Sequence, residues 1–131
     1  MNGLVLDTNV LIDLFEGECT LPKEFSCYER ILIPSIVIGE YRAGLFPTKN
    51  GDVNRRKLEA YLDNAAVVES PVTARTAELY AKVYQALRKN GRLIPQNDMW
   101  IAASALEHGA DIVTKSDEHF KAVPMLTVIT I

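Results

Sequence analysis

Four acids carry the chemical content of this 131-residue sequence: Asp7, Glu40, Asp98 and Asp117. Asp7 closes the apolar run Gly3-Leu4-Val5-Leu6, and Asp117 follows a second run, Ile112-Val113-Thr114, by three residues. In open α/β sheets ligands gather beyond the carboxyl ends of the strands, so both acids fall where a site would be built. Glu40 and Asp98 lie in helical segments, where phase matters. Val37 and Ile36 precede Glu40 by three and four positions, and Ala43 and Gly44 follow it at the same spacing. The carboxylate therefore shares an apolar, small-residue stripe. Asp98 shares one with Ile101, Ala102 and Ala105. A carboxylate aimed at a core is costly unless a charge partner meets it. No histidine or cysteine cluster accompanies the four, which leaves an all-oxygen set suited to a hard cation such as Mg²⁺ or Mn²⁺. Such an ion orients phosphate oxygens, acidifies water and stabilises the leaving oxygen of an in-line displacement, the chemistry of phosphodiester hydrolysis.

Each acid also has a purely structural role open to it. Asp7 is placed to cap the helix that follows, and Asp98, beside the cap candidate Asn97, is a first-turn acid favoured by the helix dipole. Asp117, next to Ser116, has the same explanation. Glu40 has no capping role; its structural alternative is a buried ion pair with Arg42 or Arg75.

The elements that must position these acids alternate along the whole chain. Residues 3–6 predict a strand buried on both faces. Val10, Leu11, Leu14 and Phe15 mark a helix with Gly17 as its stop. Residues 31–33 predict a second strand, punctuated by Pro34 and Ser35, and residues 36–45 a helix. A turn-rich loop over 47–52 leads to a charged, exposed helix over 53–62. Residues 66–68 predict a third strand. Pro71 and Thr73 announce a long helix with Ala77, Tyr80, Ala81, Tyr84 and Leu87 on one stripe, stopped at Asn90-Gly91. A helix over 97–108 closes at Gly109, residues 112–114 form a fourth strand, 117–121 a helical turn and 126–131 a last strand. This alternation calls for a mostly parallel sheet of four to five strands with helices on both faces, in one domain over residues 1–131.

Hydrophobic residues make up 48% and charged residues 24%, the balance of a folded protein. The net charge of −3 argues against coating nucleic acid by bulk attraction, although clustered acids can hold cations while basic groups meet phosphates. No apolar stretch is long enough to span a bilayer, and the amino terminus lacks a basic region and cleavage pattern, so neither membrane insertion nor a signal peptide is expected. Cys19 and Cys27 are eight positions apart, which suits neither a zinc motif nor a redox pair; free thiols in a reducing cytoplasm are expected, with a local disulfide as the alternative.

The motifs, taken in order, resemble those of PIN domains. Leu6-Asp7-Thr8-Asn9-Val10-Leu11-Ile12-Asp13 is similar to the family's opening motif, and Pro34-Ser35-Ile36-Val37-Ile38-Gly39-Glu40 to its second. Asn97-Asp98-Met99-Trp100-Ile101-Ala102-Ala103-Ser104-Ala105 resembles the third, and Ile112-Val113-Thr114-Lys115-Ser116-Asp117 the fourth. The resemblance implies a three-layer PIN-like fold and a Mg²⁺- or Mn²⁺-dependent endoribonuclease of the VapC toxin type. Such a protein is a cytoplasmic homodimer inhibited by a small antitoxin whose tail reaches the active site. It further implies that Asp7 and Asp98 bind the metal most directly, that Glu40 and Asp117 complete the site, and that Asn9, Ser35 and Thr114 position acids or substrate through hydrogen bonds. Ser116 competes with Asp117 for the fourth-motif position, and the carboxylate is preferred because it serves a cation better than a hydroxyl.

The remaining polar residues read more plainly. His108 and His119 are expected at the surface or half-buried, without catalytic duty, and Trp100 in the core or at a subunit contact. Asn54-Arg55-Arg56-Lys57 reads as a solvated helix face, with contact to RNA or an acidic antitoxin segment as the alternative. The stripe from Ala77 through Tyr84, with Leu45 and Phe46, exceeds what a small chain buries alone and is assigned to dimer and antitoxin contacts. A haloacid-dehalogenase-type phosphatase needs a second aspartate where Asn9 stands, and a receiver domain needs an acidic pair after the first strand. Neither is met. The alternative that survives is a PIN fold used only as an RNA- or protein-binding scaffold.

Overall fold

The computed structural model describes residues 2–16, 23–45 and 49–131. The stop at Gly17, Cys19, Phe46 and the start of the loop at Pro47 lie outside the described residues. The order of elements is β1 (Gly3–Leu6), α1 (Thr8–Glu16), a 3₁₀ turn at Lys23–Cys27, β2 (Arg30–Pro34), α2 (Ser35–Leu45), α3 (Gly51–Leu62) and β3 (Val67–Ser70). Then come α4 (Ala74–Lys89), α5 (Gln96–Glu107), β4 (Asp111–Thr114), a 3₁₀ turn at Phe120–Ala122 and β5 (Val128–Thr130).

The five strands form one parallel sheet in the order β3-β2-β1-β4-β5. Parallel crossovers are right-handed, so the helices joining β1 to β2 and β2 to β3 cover one face. The chain then reverses across the sheet from β3 to β4, which sends α4 and α5 to the other face. That gives three layers. The reversal occurs at β1, the switch point where a crevice opens at the carboxyl ends of the strands. β1 is also the most deeply covered strand: Leu4, Val5 and Leu6 are all 0% exposed, as a continuous apolar run in a central parallel strand requires.

Register delivers the site. Leu6 pairs with Val113, so the next residues, Asp7 and Thr114, stand side by side at the ends of β1 and β4. Asp7 N–H still donates to the Val113 carbonyl at 3.0 Å, which extends the ladder by one residue and fixes the backbone of the acid.

Several elements depart from the sequence-based expectation. β3 runs on to Ser70, because Pro34 of β2 pairs with it and its hydroxyl lies 3.0 Å from that of Ser104 on α5. α3 is not wholly exposed: Asn54 and Leu58 are buried, Asn54 donating to Glu16 at 3.1 Å. On α4 the buried positions are Thr76, Val83 and Leu87, while Ala77 and Ala81 face solvent. The helix is turned relative to the expected stripe because Thr73 and Thr76 form a capping box and the Thr76 hydroxyl donates to Glu107 on α5 at 2.5 Å. Tyr80 and Tyr84 remain half-buried, and Tyr80 stacks on Trp100 with ring centroids 4.1 Å apart. Gly91 ends α4 at φ +67°, with Arg92 N–H returning to the Leu87 carbonyl at 2.9 Å, a helix stop that favours glycine.

Candidate active site

Asp7 is 7% exposed and fully engaged. Its Oδ1 accepts from Thr8 N–H at 2.8 Å, the first residue of α1 rather than the second or third that a side-chain cap engages, and its Oδ2 accepts from the Thr114 hydroxyl at 2.7 Å. Each carboxylate oxygen keeps a lone pair. Burial pushes the Asp7 carboxyl above its ordinary range, against those two hydrogen bonds and with help from the charges of Asp98 and Glu40.

Glu40 reaches the same place from α2. Its Oε1 accepts from the Thr8 hydroxyl at 2.7 Å and its Oε2 from the Asn97 amide at 3.3 Å. The ion-pair alternative is not met among the described residues: Arg75 pairs with Glu78 at 3.0 Å instead. Asp98, in the first turn of α5, is also pushed upward, first by burial and then by Glu40, while a hydrogen bond and charge from His119 pull it back. The His119 Nδ1 to Asp98 Oδ2 distance is 2.7 Å.

Asp7, Glu40 and Asp98 line a single cleft of about 280 Å³, together with Thr8, Asn9, Ile12, Ser116, His119 and Phe120. Neither lysine nor arginine is among these residues. Asn9 lines the cleft with its Oδ1 accepting from Lys115 N–H at 3.2 Å, and Thr114, fully buried, supports Asp7 from outside the lining.

Two of the sequence candidates are placed elsewhere. Asp117 is outside the cleft lining: Lys121 one turn on and the Thr130 hydroxyl at 2.8 Å engage its Oδ2, and they hold its carboxyl below the ordinary range. Ser116, its competitor in the fourth motif, is the one that lines the cleft. Residues 117 and 121 share one side of a helical turn, Lys121 N–H closing on the Asp117 carbonyl at 2.9 Å, and this turns Asp117 away while His119 faces inward. Ser35 lies near the end of β3, with its hydroxyl 3.2 Å from Glu69 Oε1 and 3.5 Å from the Ser70 carbonyl, so its hydrogen bonds do not go to the four acids.

Thr8, Asn97 and His119 were missed as site groups. Thr8 and Asn97 stand next to Asp7 and Asp98 in the motifs, and that adjacency was the available signal. His119 had none, because only the turn after β4 aims it at an acid 21 residues away.

Among the described residues no three acidic, histidine or cysteine groups stand close enough, as placed, to enclose one ion. The donor chemistry nevertheless fits a hard divalent cation. Three carboxylates share one cleft without a basic partner from lysine or arginine, and two of them are pushed upward by burial and mutual repulsion. A cation would relieve that repulsion, and Asp7, Glu40 and Asp98 are the carboxylates that would hold it.

A family model described as the PIN domain matches residues 4–126. The protein named Ribonuclease VapC1 from Rickettsia felis is 30% identical, over 98% of this chain and 96% of its own length. The structure of VapBC-1 from nontypeable Haemophilus influenzae superposes with a TM-score of 0.79 at 26% identity, covering 98% of this chain and 97% of that one. VapBC-5 from Mycobacterium tuberculosis, described as a member of the VapBC family of toxin-antitoxin systems, shares the fold with a TM-score of 0.72 at 24% identity, covering 98% and 97%. This chain belongs to the PIN-domain family, among the VapC ribonucleases.

Proposed function

We propose that this protein is a divalent-metal-dependent endoribonuclease, the toxin of a toxin–antitoxin pair, acting in the cytoplasm. The observation that carries the reading is the meeting of Asp7, Glu40 and Asp98 in one cleft without lysine or arginine. A scaffold has no use for such an arrangement, which raises the free energy of the metal-free protein. Asp7, Glu40 and Asp98 would hold a Mg²⁺ or Mn²⁺ ion there, which would supply charge neutralisation for the phosphodiester and lower the pKa of water. The chain's own groups hold the acids in place. Thr114 and Thr8 N–H fix the Asp7 carboxylate, and the Thr8 hydroxyl and Asn97 fix Glu40. Asn9 and Ser116 line the same cleft and would offer hydrogen bonds to RNA there. Asp117 stands outside this cleft, engaged by Lys121 and Thr130.

RNA as substrate agrees with the ribonuclease relatives, and a small antitoxin partner with the VapBC neighbours. A homodimer is proposed on the exposed Ala77 and Ala81 with half-buried Tyr80 and Tyr84 of α4. None of the described helices is long and apolar enough to cross a membrane. The test is cleavage of single-stranded RNA by purified protein with Mg²⁺ or Mn²⁺, abolished by chelator and restored by added ion. RNA left intact under all metal conditions, with the fold verified by circular dichroism, would remove the enzyme reading in favour of the scaffold.

A further inference from the structure

His119 is the one ring nitrogen base lining the cleft, with its side chain 40% exposed and its backbone held by the turn. The turn that carries it is pinned on both sides. Phe120, 1% exposed, anchors it in the core, and Ala122 and Val123 N–H return to the His119 and Phe120 carbonyls at 3.3 and 3.0 Å. Asp117 and Lys121 pair on the opposite side of the turn. With its backbone fixed in this way, the imidazole places Nδ1 2.7 Å from Asp98 Oδ2. Asp98 stands in the first turn of α5 with no cation from lysine or arginine among the residues around the cleft.

We propose that His119 is a positioning residue: it holds Oδ2 of Asp98 so that Oδ1 is the oxygen left for the divalent ion. The proposal rests on the metal-dependent reading above. A carboxylate on a first-turn aspartate rotates readily about its last bond, and a donor on one oxygen removes that freedom. Partners of this kind, which orient an ion-binding group without touching the ion, change metal affinity by roughly 10- to 100-fold when removed.

His119→Asn and His119→Ala separate the possibilities. An asparagine amide nitrogen occupies nearly the place of imidazole Nδ1 and can still donate to Asp98, whereas alanine cannot. Mn²⁺ affinity is measured by calorimetry without RNA, and kcat and KM are measured at saturating Mn²⁺. The expected result is a loss of Mn²⁺ affinity of roughly 10- to 100-fold in His119→Ala, largely recovered in His119→Asn, with a KM for RNA that stays near wild type in both. Wild-type affinity in His119→Ala would overturn the proposal. So would an asparagine variant no better than the alanine one, because the ring's other nitrogen would then be what matters. Failure of wild type itself to bind Mn²⁺ would overturn the metal-dependent reading, and this proposal with it.

Discussion

The turn after β4 separates two treatments of the same side chain. On its outer side, Asp117 meets a lysine, Lys121. On its inner side, Asp98 meets a histidine, Asp7 meets a hydroxyl and a backbone amide, and Glu40 meets a hydroxyl and a side-chain amide. The direction of the shift follows burial, because the hydrogen-bond partners of all three acids pull downward. Lys121 and Thr130 lower Asp117, while burial raises Asp7 and Asp98. An acid beside lysine is already neutralised and has little left to offer a cation. Buried acids without lysine or arginine keep much of their charge unmatched, Asp98 having only His119 beside it, at a cost that a divalent ion can offset.

The largest effect expected from this contrast is on turnover. Asp98→Asn and Asp7→Asn should each reduce metal-dependent RNA cleavage by on the order of a thousandfold or more, since charge stabilisation by the ion is worth several kcal/mol. Single-turnover assays at saturating metal measure it. Full activity in either variant, with contaminating nuclease excluded, would break the assignment of that residue.

Glu40 sharpens the comparison next. Glu40→Gln keeps shape and removes one charge from the inner cluster. In chelator it should melt at or above the wild-type temperature, because its partners are Thr8 and Asn97. Had the residue paired with a buried arginine, the same change would cost roughly 3–5 kcal/mol.

A pH series distinguishes the two sides by sign. The raised Asp7 binds its proton more tightly folded than unfolded, so in metal-free protein its ionisation opposes folding. That penalty is absent below the ordinary carboxylate value of 3.8 and builds as pH rises through the raised value. Asp7→Asn should therefore gain stability over wild type as pH rises from about 4. Asp117 is lowered, so its contribution is present above 3.8 and is lost as pH falls through the depressed value. Denaturant melts of both variants across this range check the opposite slopes.

Much of the architecture was legible because it depends on local pattern. The apolar run of β1 ending at Asp7 and the glycine stops at 91 and 109 need no distant information. The helical phase of Glu40 was legible only in part: Val37, one turn before it, is buried, but Ala43 and Gly44, one turn after it, are exposed. What escaped the sequence was set by contacts between elements. Thr76 is buried, and the face of α4 turned, because it meets Glu107 across the helix pair. Phe25, in the connection between the first helix and the second strand where no periodic pattern marks it, folds into the core with its ring centroid 6.2 Å from that of Tyr28. The division of labour between Ser116, Asp117 and His119 turns on the phase of one short helical turn, too brief to carry a periodic signal.

The smallest effect belongs to that turn. Asp117→Asn removes an acid already matched by lysine and should lower cleavage far less than Asp98→Asn, with a slight loss of stability. A loss as deep as that of Asp98→Asn would place Asp117 in the working site and erase the inner–outer distinction.

The most direct test of the central claim is thermal melting of the metal-free protein during Mn²⁺ titration, wild type against Asp98→Asn. A ligand bound only by the folded state stabilises it by about 2.7 kcal/mol at a hundredfold excess over Kd. Wild type should show a saturating rise in melting temperature, and Asp98→Asn should show little or none over the same range. An equal rise in both proteins, or none in wild type, would contradict the claim that these unmatched carboxylates are a cation site.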